Sequence, residues 1–118
     1  MDLIVARGAA SKAASVDAVL AALADPARRK VIDVLKSGPA NAGELSKIVG
    51  LPAPAMSRHL RALKDSGLVG ETHPEYDARV RIYALKAGPL GELKAWLETT
   101  ERMWAGQLAS FKKHVERR

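Results

Sequence analysis

At 118 residues, with 47% apolar and only 4% aromatic residues, the chain has material for one core, packed mainly by Ala, Leu and Val. Its 19 Lys and Arg outnumber 13 Asp and Glu, and the net charge of +6 draws it to polyanions. The absence of cysteine excludes disulfides, thiolate metal sites and thiol redox switches, and no apolar run reaches the ~18 residues of a membrane span.

Residues 1–14 are small and mixed and read as a loosely held arm. The apolar patch at 3–6 follows Asp2 and lacks a basic flank, so it is no secretory leader and a cytoplasmic location is expected. A first helix is predicted from Ser15, its N-cap, with Val16, Val19, Leu20 and Leu23 on one stripe. Asp25 caps and Pro26 opens a second helix to about Ser37, burying Val31, Ile32, Val34 and Leu35 before Gly38-Pro39 stops it. Asn41-x-x-Glu44 is a capping-box variant that opens a third helix, with Leu45, Ile48 and Val49 inward and Gly50 at its end. About three residues later the next helix begins, which is helix-turn-helix spacing.

That fourth helix, in the run Leu51–Leu68, says most about function. Met56, Leu60 and Leu63 recur at i, i+4 and i+7, while Pro54, Arg58 and Arg61 fall on the opposite face and Ser57 and Lys64 on the flanks. A helix lying in a DNA major groove needs this division: an apolar back on a scaffold and Arg forks in front. Gly67 supplies a left-handed C-cap. Leu68–His73 and Arg79–Leu85 are predicted as two strands joined by the loop Pro74–Ala78, with Arg79 and Arg81 on one strand face. Gly88-Pro89 breaks the chain, and Leu90–Val115 forms one long helix with apolar steps of three and four, widened by Trp96 and Met103.

The order of elements predicts a mainly α fold with a small β-hairpin, a winged helix-turn-helix (α-α-α-α-β-β-α). One domain over 15–115 is expected, ending in a dimerisation helix at about 89–115. The outer helices need a partner for their apolar faces, and a second copy of the chain is expected to supply it. The interface drawn from these stripes comprises Val16, Val19 and Leu23, then Leu93, Trp96, Leu97, Thr100, Trp104, Leu108 and Phe111.

Three segments, AALADPARRKVIDVLKSGP (21–39), AGELSKIVGLPAPAMSRHLRALKDSGLV (42–69) and RIYALKAGPLGELKAWL (81–97), occur together and in order. Over residues 15–105 the chain resembles the ArsR-type (arsenical-resistance repressor) family of bacterial winged-helix regulators. The resemblance implies a homodimeric repressor that leaves its operator when an effector binds, and it lays DNA contact on Ser57, Arg58 and Arg61. Where metal-sensing members carry Cys pairs in the third helix, this chain has Glu44-Leu45-Ser46-Lys47, and where others carry Asp/His pairs in the last helix it has His114 alone. A non-metal-sensing branch is therefore expected. The family's frequent Ser-Gln at the start of the recognition helix is Pro52-Ala53 here.

The expected DNA-facing set is Pro54, Ser57, Arg58, His59, Arg61, Lys64, Arg79 and Arg81. Ser57 suits a phosphate; His59 either packs half-buried beside the second helix or meets a phosphate. Arg79 and Arg81 are either solvated wing charges or contacts to phosphate or minor groove. Arg28-Arg29-Lys30 either approaches the DNA backbone, is solvated, or pairs with Asp33 or Asp25. Trp96, Met103 and Trp104 belong to a dimer core or to an effector pocket. No metal, cofactor or catalytic constellation is expected, and no effector is named. The function expected is a sequence-specific repressor binding double-stranded DNA as a homodimer on a palindromic operator. A winged-helix protein-interaction module and a non-specific DNA organiser are the alternatives.

Overall fold

Asp25 is the first fixed point of the fold. The structure is a computed structural model, and it describes residues 16–117; the arm over 1–14 and the Ser15 cap lie outside the described residues. Helical residues 16–23 (α1) bury Val19 and Ala22. The Asp25 carboxylate then accepts a hydrogen bond from the Ala27 N–H at 2.8 Å and starts α2, Pro26–Leu35. Pro26 sits where a missing N–H is harmless. Val31 and Leu35 are buried, while Ile32 and Val34 are only partly so.

A short strand β1, Ala40–Asn41, follows. Two residues after a proline show no alternation to read, and the sequence pattern did not announce it. Asn41 serves twice: it pairs with Ile82 in the sheet, and its side-chain oxygen accepts the Glu44 N–H at 2.8 Å to cap α3, Ala42–Val49. Leu45 is buried, but Ile48 is 64% exposed, which corrects its predicted inward position. An eight-residue helix turns only one narrow stripe toward α2 and α4, and Ile48 lies off it. Gly50 ends α3 at φ +79, and three residues lead to α4, Ala53–Asp65.

Met56, Leu60 and Leu63 of α4 are fully buried, as their spacing predicts. The helix ends in a Schellman closure: the Leu68 N–H reaches the Leu63 carbonyl at 3.2 Å and the Gly67 N–H reaches Lys64 at 3.0 Å. Gly67 has φ +82, and a β-carbon there would stand 2.7 Å from Cγ of Pro89. Only glycine satisfies both conditions.

The wing is β2, Val69–Thr72, and β3, Ile82–Leu85, paired antiparallel from Val69↔Leu85 to Thr72↔Ile82, with β1 on the far side of β3. Both strands are shorter than predicted. Between them Pro74 offers no N–H, the Asp77 N–H turns to the Pro74 carbonyl, and the Val80 N–H turns to Asp77. These groups are spent on turns and not on the ladder. Arg79 and Arg81 are consequently not on a strand, and the shared face predicted for them is corrected.

The last helix, α5, runs from Gly88 to Glu116, 29 residues and about 43 Å. Gly88-Pro89 forms its first turn and does not precede it. Five helices and a three-stranded antiparallel sheet thus make up the described residues. Their core joins Val19, Val31, Leu35, Leu45, Met56, Leu60, Leu63, Leu68, Val69, Tyr83 and Leu93. No helix is long and apolar enough to cross a membrane among the described residues.

Candidate nucleic-acid interface

Seating Met56, Leu60 and Leu63 in the core forces the other face of α4 outward. Pro54, Ser57, Arg58, Arg61 and Lys64 are all exposed. Among the described residues neither Arg58 nor Arg61 has an ion-pair partner, so both forks are uncommitted.

The C-terminal half of α4 and the wing enclose one cleft, lined by Ser57, Leu60, Arg61, Lys64, Asp65, Glu71, Arg81 and Tyr83. Four of the eight residues expected to face DNA meet there. Lys64 Nζ donates to Glu71 Oε2 at 2.8 Å, Arg81 Nε stands 3.5 Å from Glu71 Oε1, and His73 Nε2 stands 3.7 Å from the same oxygen. The hydrogen bond from Lys64 is the main cause that holds the Glu71 carboxyl below the usual glutamate range, and the charges of Lys64, Arg81 and His73 add to it against partial burial.

The remaining expected residues lie apart. Arg79 stands at the wing tip, almost fully exposed, with its backbone N–H and its Nε both on Asp77 Oδ1. His59 turns toward α2: Arg28 Nε donates to its Nδ1 at 3.3 Å, and Asp25 Oδ2 lies 3.8 Å from the same nitrogen. The ring is half-buried. An Nδ1 that accepts leaves the hydrogen of the neutral ring on Nε2. Asp25 is held below the usual aspartate range, first by the Ala27 N–H and also by the Arg28 charge and, when its ring is protonated, by His59. Of the two acids proposed for the 28–30 cluster, Asp33 is taken by Lys36 at 2.9 Å, and Arg29 instead donates to the Leu23 carbonyl at 2.6 Å.

Glu71 was not among the residues singled out from sequence; Arg28, His59 and Asp25 each were, but their meeting at one point was not. Alternation along β2 places Glu71 on the face of Tyr83, but which element covers that face is a tertiary fact.

The seam drawn for the outer helices divides in two. Val19 and Leu93 are buried within the protomer, so they hold α1 and α5 to the core and are not free to meet a second copy; this corrects their assignment. Val16 and Leu23 are partly buried against that same core. Beyond Leu93 the helix projects with Trp96, Leu97, Met103, Trp104, Leu108 and Phe111 each at least half exposed and Thr100 half-buried. Two shallow apolar hollows run along this face, sharing Thr100, Trp104 and Leu108. No cluster of three or more His, Asp or Glu that could hold a metal ion forms among the described residues.

A winged helix-turn-helix with a basic, outward recognition helix defines a DNA-binding transcriptional regulator. The model of the bacterial regulatory protein, arsR family, matches residues 25–71. The chain is 31% identical over 102 residues to the HTH-type transcriptional regulator Rv2034 of Mycobacterium tuberculosis, covering 86% of this chain and 90% of that one. It is 36% identical over 53 residues to the transcriptional repressor SdpR of Bacillus subtilis, covering 45% of this chain and 59% of that one. Among solved structures, an ArsR-like transcriptional regulator from Rhodococcus sp. RHA1 superposes with a TM-score of 0.73 at 26% identity, covering 87% of this chain and 94% of that one. The protein belongs to the ArsR family of bacterial transcriptional regulators.

Proposed function

We propose that this regulator is a repressor that binds a palindromic operator as a homodimer and does not respond to metal ions. One observation carries the DNA-binding reading. The same helix that buries Met56, Leu60 and Leu63 holds out Ser57, Arg58, Arg61 and Lys64 beside Arg81 of the wing. In this reading Arg58 and Arg61 address base edges, with Pro54 beside them, and Ser57, Lys64, Arg79 and Arg81 hold phosphates. His59 packs on α2 and directs Nε2–H to a phosphate.

The projecting face of α5 supports the homodimer. Exposed Trp96, Leu97, Trp104, Leu108 and Phe111 form one stripe that the rest of the described residues do not cover. A second copy, with its own stripe, buries both and places two recognition helices on one duplex, where the second half-site becomes effectively intramolecular. The absence of Cys from the whole chain supports a regulator without thiolate sensing.

Selection of bound sequences from random duplex DNA with the purified protein tests the reading. The expected product is an inverted repeat with half-sites about 34 Å apart, one helical turn. Recovery of unenriched sequence would mean a non-specific DNA organiser, and recovery of no DNA would mean a protein-interaction module.

A further inference from the structure

Glu71 is an acid in the middle of a basic DNA-facing cleft. Simple electrostatics counts it as a defect, because a carboxylate near phosphates repels them. Its geometry says otherwise. The Glu71 side chain is 12% exposed at the floor of the cleft, whereas Lys64 and Arg81 are 51% and 64% exposed at its rim. Arg81 meets Glu71 through Nε, and Lys64 uses one of its three N–H groups there. The outer Nη groups of Arg81 and two protons of Lys64 remain available to a phosphate. Lys64 belongs to α4 and Arg81 to the wing, and among the described residues Glu71 is the one acid paired with both, by a hydrogen bond to Lys64 and an ion pair to Arg81. His73 adds a third contact from the wing side, while Asp65, the other acid of the cleft, pairs with none of these cations.

We infer that Glu71 is a positioning residue: it clips the wing to the recognition helix and presents Lys64 and Arg81 as one two-pronged phosphate clamp. The inference rests on the reading that Lys64 and Arg81 contact the DNA backbone. Holding two long side chains in place before binding removes an ordering cost that free side chains pay on the duplex. The clip itself lies too deep to touch the phosphate. The clamp reads backbone and not bases, so it acts alike on every sequence.

The two views of Glu71 differ in sign, and Glu71→Gln decides between them. The amide keeps the shape and can still accept a hydrogen bond, but it loses the charge that holds both cations. Binding is measured by fluorescence anisotropy on the selected duplex and on a scrambled duplex of equal length, at several salt concentrations, with melting temperature as a folding control. The expected result is a loss of about five- to tenfold on both duplexes, with the slope of log K against log salt smaller by about one unit. Unchanged or tighter binding overturns the inference, since removal of a mere repulsive charge strengthens binding. The second measurement uses the exposed residues alone. Lys64→Ala and Arg81→Ala are expected each to weaken binding, and the double variant to lose less than the two losses combined, because each single change already loosens the clamp. Fully additive losses overturn the inference even if Glu71→Gln does not fold. Single variants that leave affinity and salt slope untouched would remove the backbone contacts themselves. A wild-type protein binding both duplexes equally would count against the operator reading and leave the clip intact.

Discussion

Gly67 joins α4 to the wing, and its replacement by Ala has a cost that the structure divides into two parts. The first is backbone: φ +82 is a left-handed conformation that costs an L-residue about 1–2 kcal/mol. The second is contact. The new β-carbon would lie 2.7 Å from Cγ of Pro89. That atom belongs to a ring fused to the first turn of α5, so it cannot swing away as a lysine tail would. Relief requires moving the start of α5, and overpacking of this kind adds about 1–3 kcal/mol. Gly50 provides the control, since it has φ +79 and open space where a β-carbon would go. In urea unfolding, Gly50→Ala is expected to cost about 1–2 kcal/mol and Gly67→Ala about 2–5 kcal/mol. Adding Pro89→Ala should recover most of the excess in Gly67→Ala and none of the cost in Gly50→Ala. Equal costs for the two glycines would refute the reasoning, and would mean that α5 is not seated rigidly on the α4–β2 turn.

Leu97→Asp is expected to yield a folded monomer in sedimentation, with operator binding lost, because it would bury an unpaired charge in the proposed α5 interface. Leu93→Ala should behave differently, lowering protomer stability by about 2–5 kcal/mol while dimers still form at low temperature. The pairing of Glu71 sets a pH dependence. Its carboxyl titrates below the usual range when folded, so its contribution to stability is full above that range and is lost as pH falls through the lowered value. The urea midpoint of wild type should therefore exceed that of Lys64→Met near neutral pH, with the gap closing as pH falls below the usual glutamate range; a gap independent of pH would contradict the assignment. Stoichiometric Zn²⁺ or Cd²⁺ should not release the protein from DNA in gel shifts, and release at one metal per protomer would reveal a missed site.

Local chemistry made most of the fold legible. Asp25 and Asn41 cap the helices that their neighbours announce, Gly50 and Gly67 take the left-handed turns, and Met56, Leu60 and Leu63 are buried as their spacing requires. Expectations failed where a tertiary choice decides between equal local options. Ile48 fits an inward stripe as well as Val49 does, but an eight-residue α3 buries only Leu45. Arg79 and Arg81 alternate as a strand would, yet the turns around Pro74 and Asp77 take the hydrogen bonds a ladder needs. Val19 and Leu93 share stripes with exposed residues, and periodicity cannot tell a protomer's core from an interface. At the candidate site, the outward face of α4 was readable from spacing alone. Glu71 was not, because its importance comes from two cations that reach it from opposite sides of the cleft.

The reading stands most directly on how Arg58 behaves. Anisotropy titration of wild type and Arg58→Ala against the selected duplex and its scrambled counterpart, at fixed salt, separates base reading from charge. If Arg58 forks a guanine, the variant loses about 1–3 kcal/mol on the selected duplex and far less on the scrambled one. Equal affinity of wild type and variant for the selected duplex would contradict the assignment of α4 as the element that reads DNA sequence.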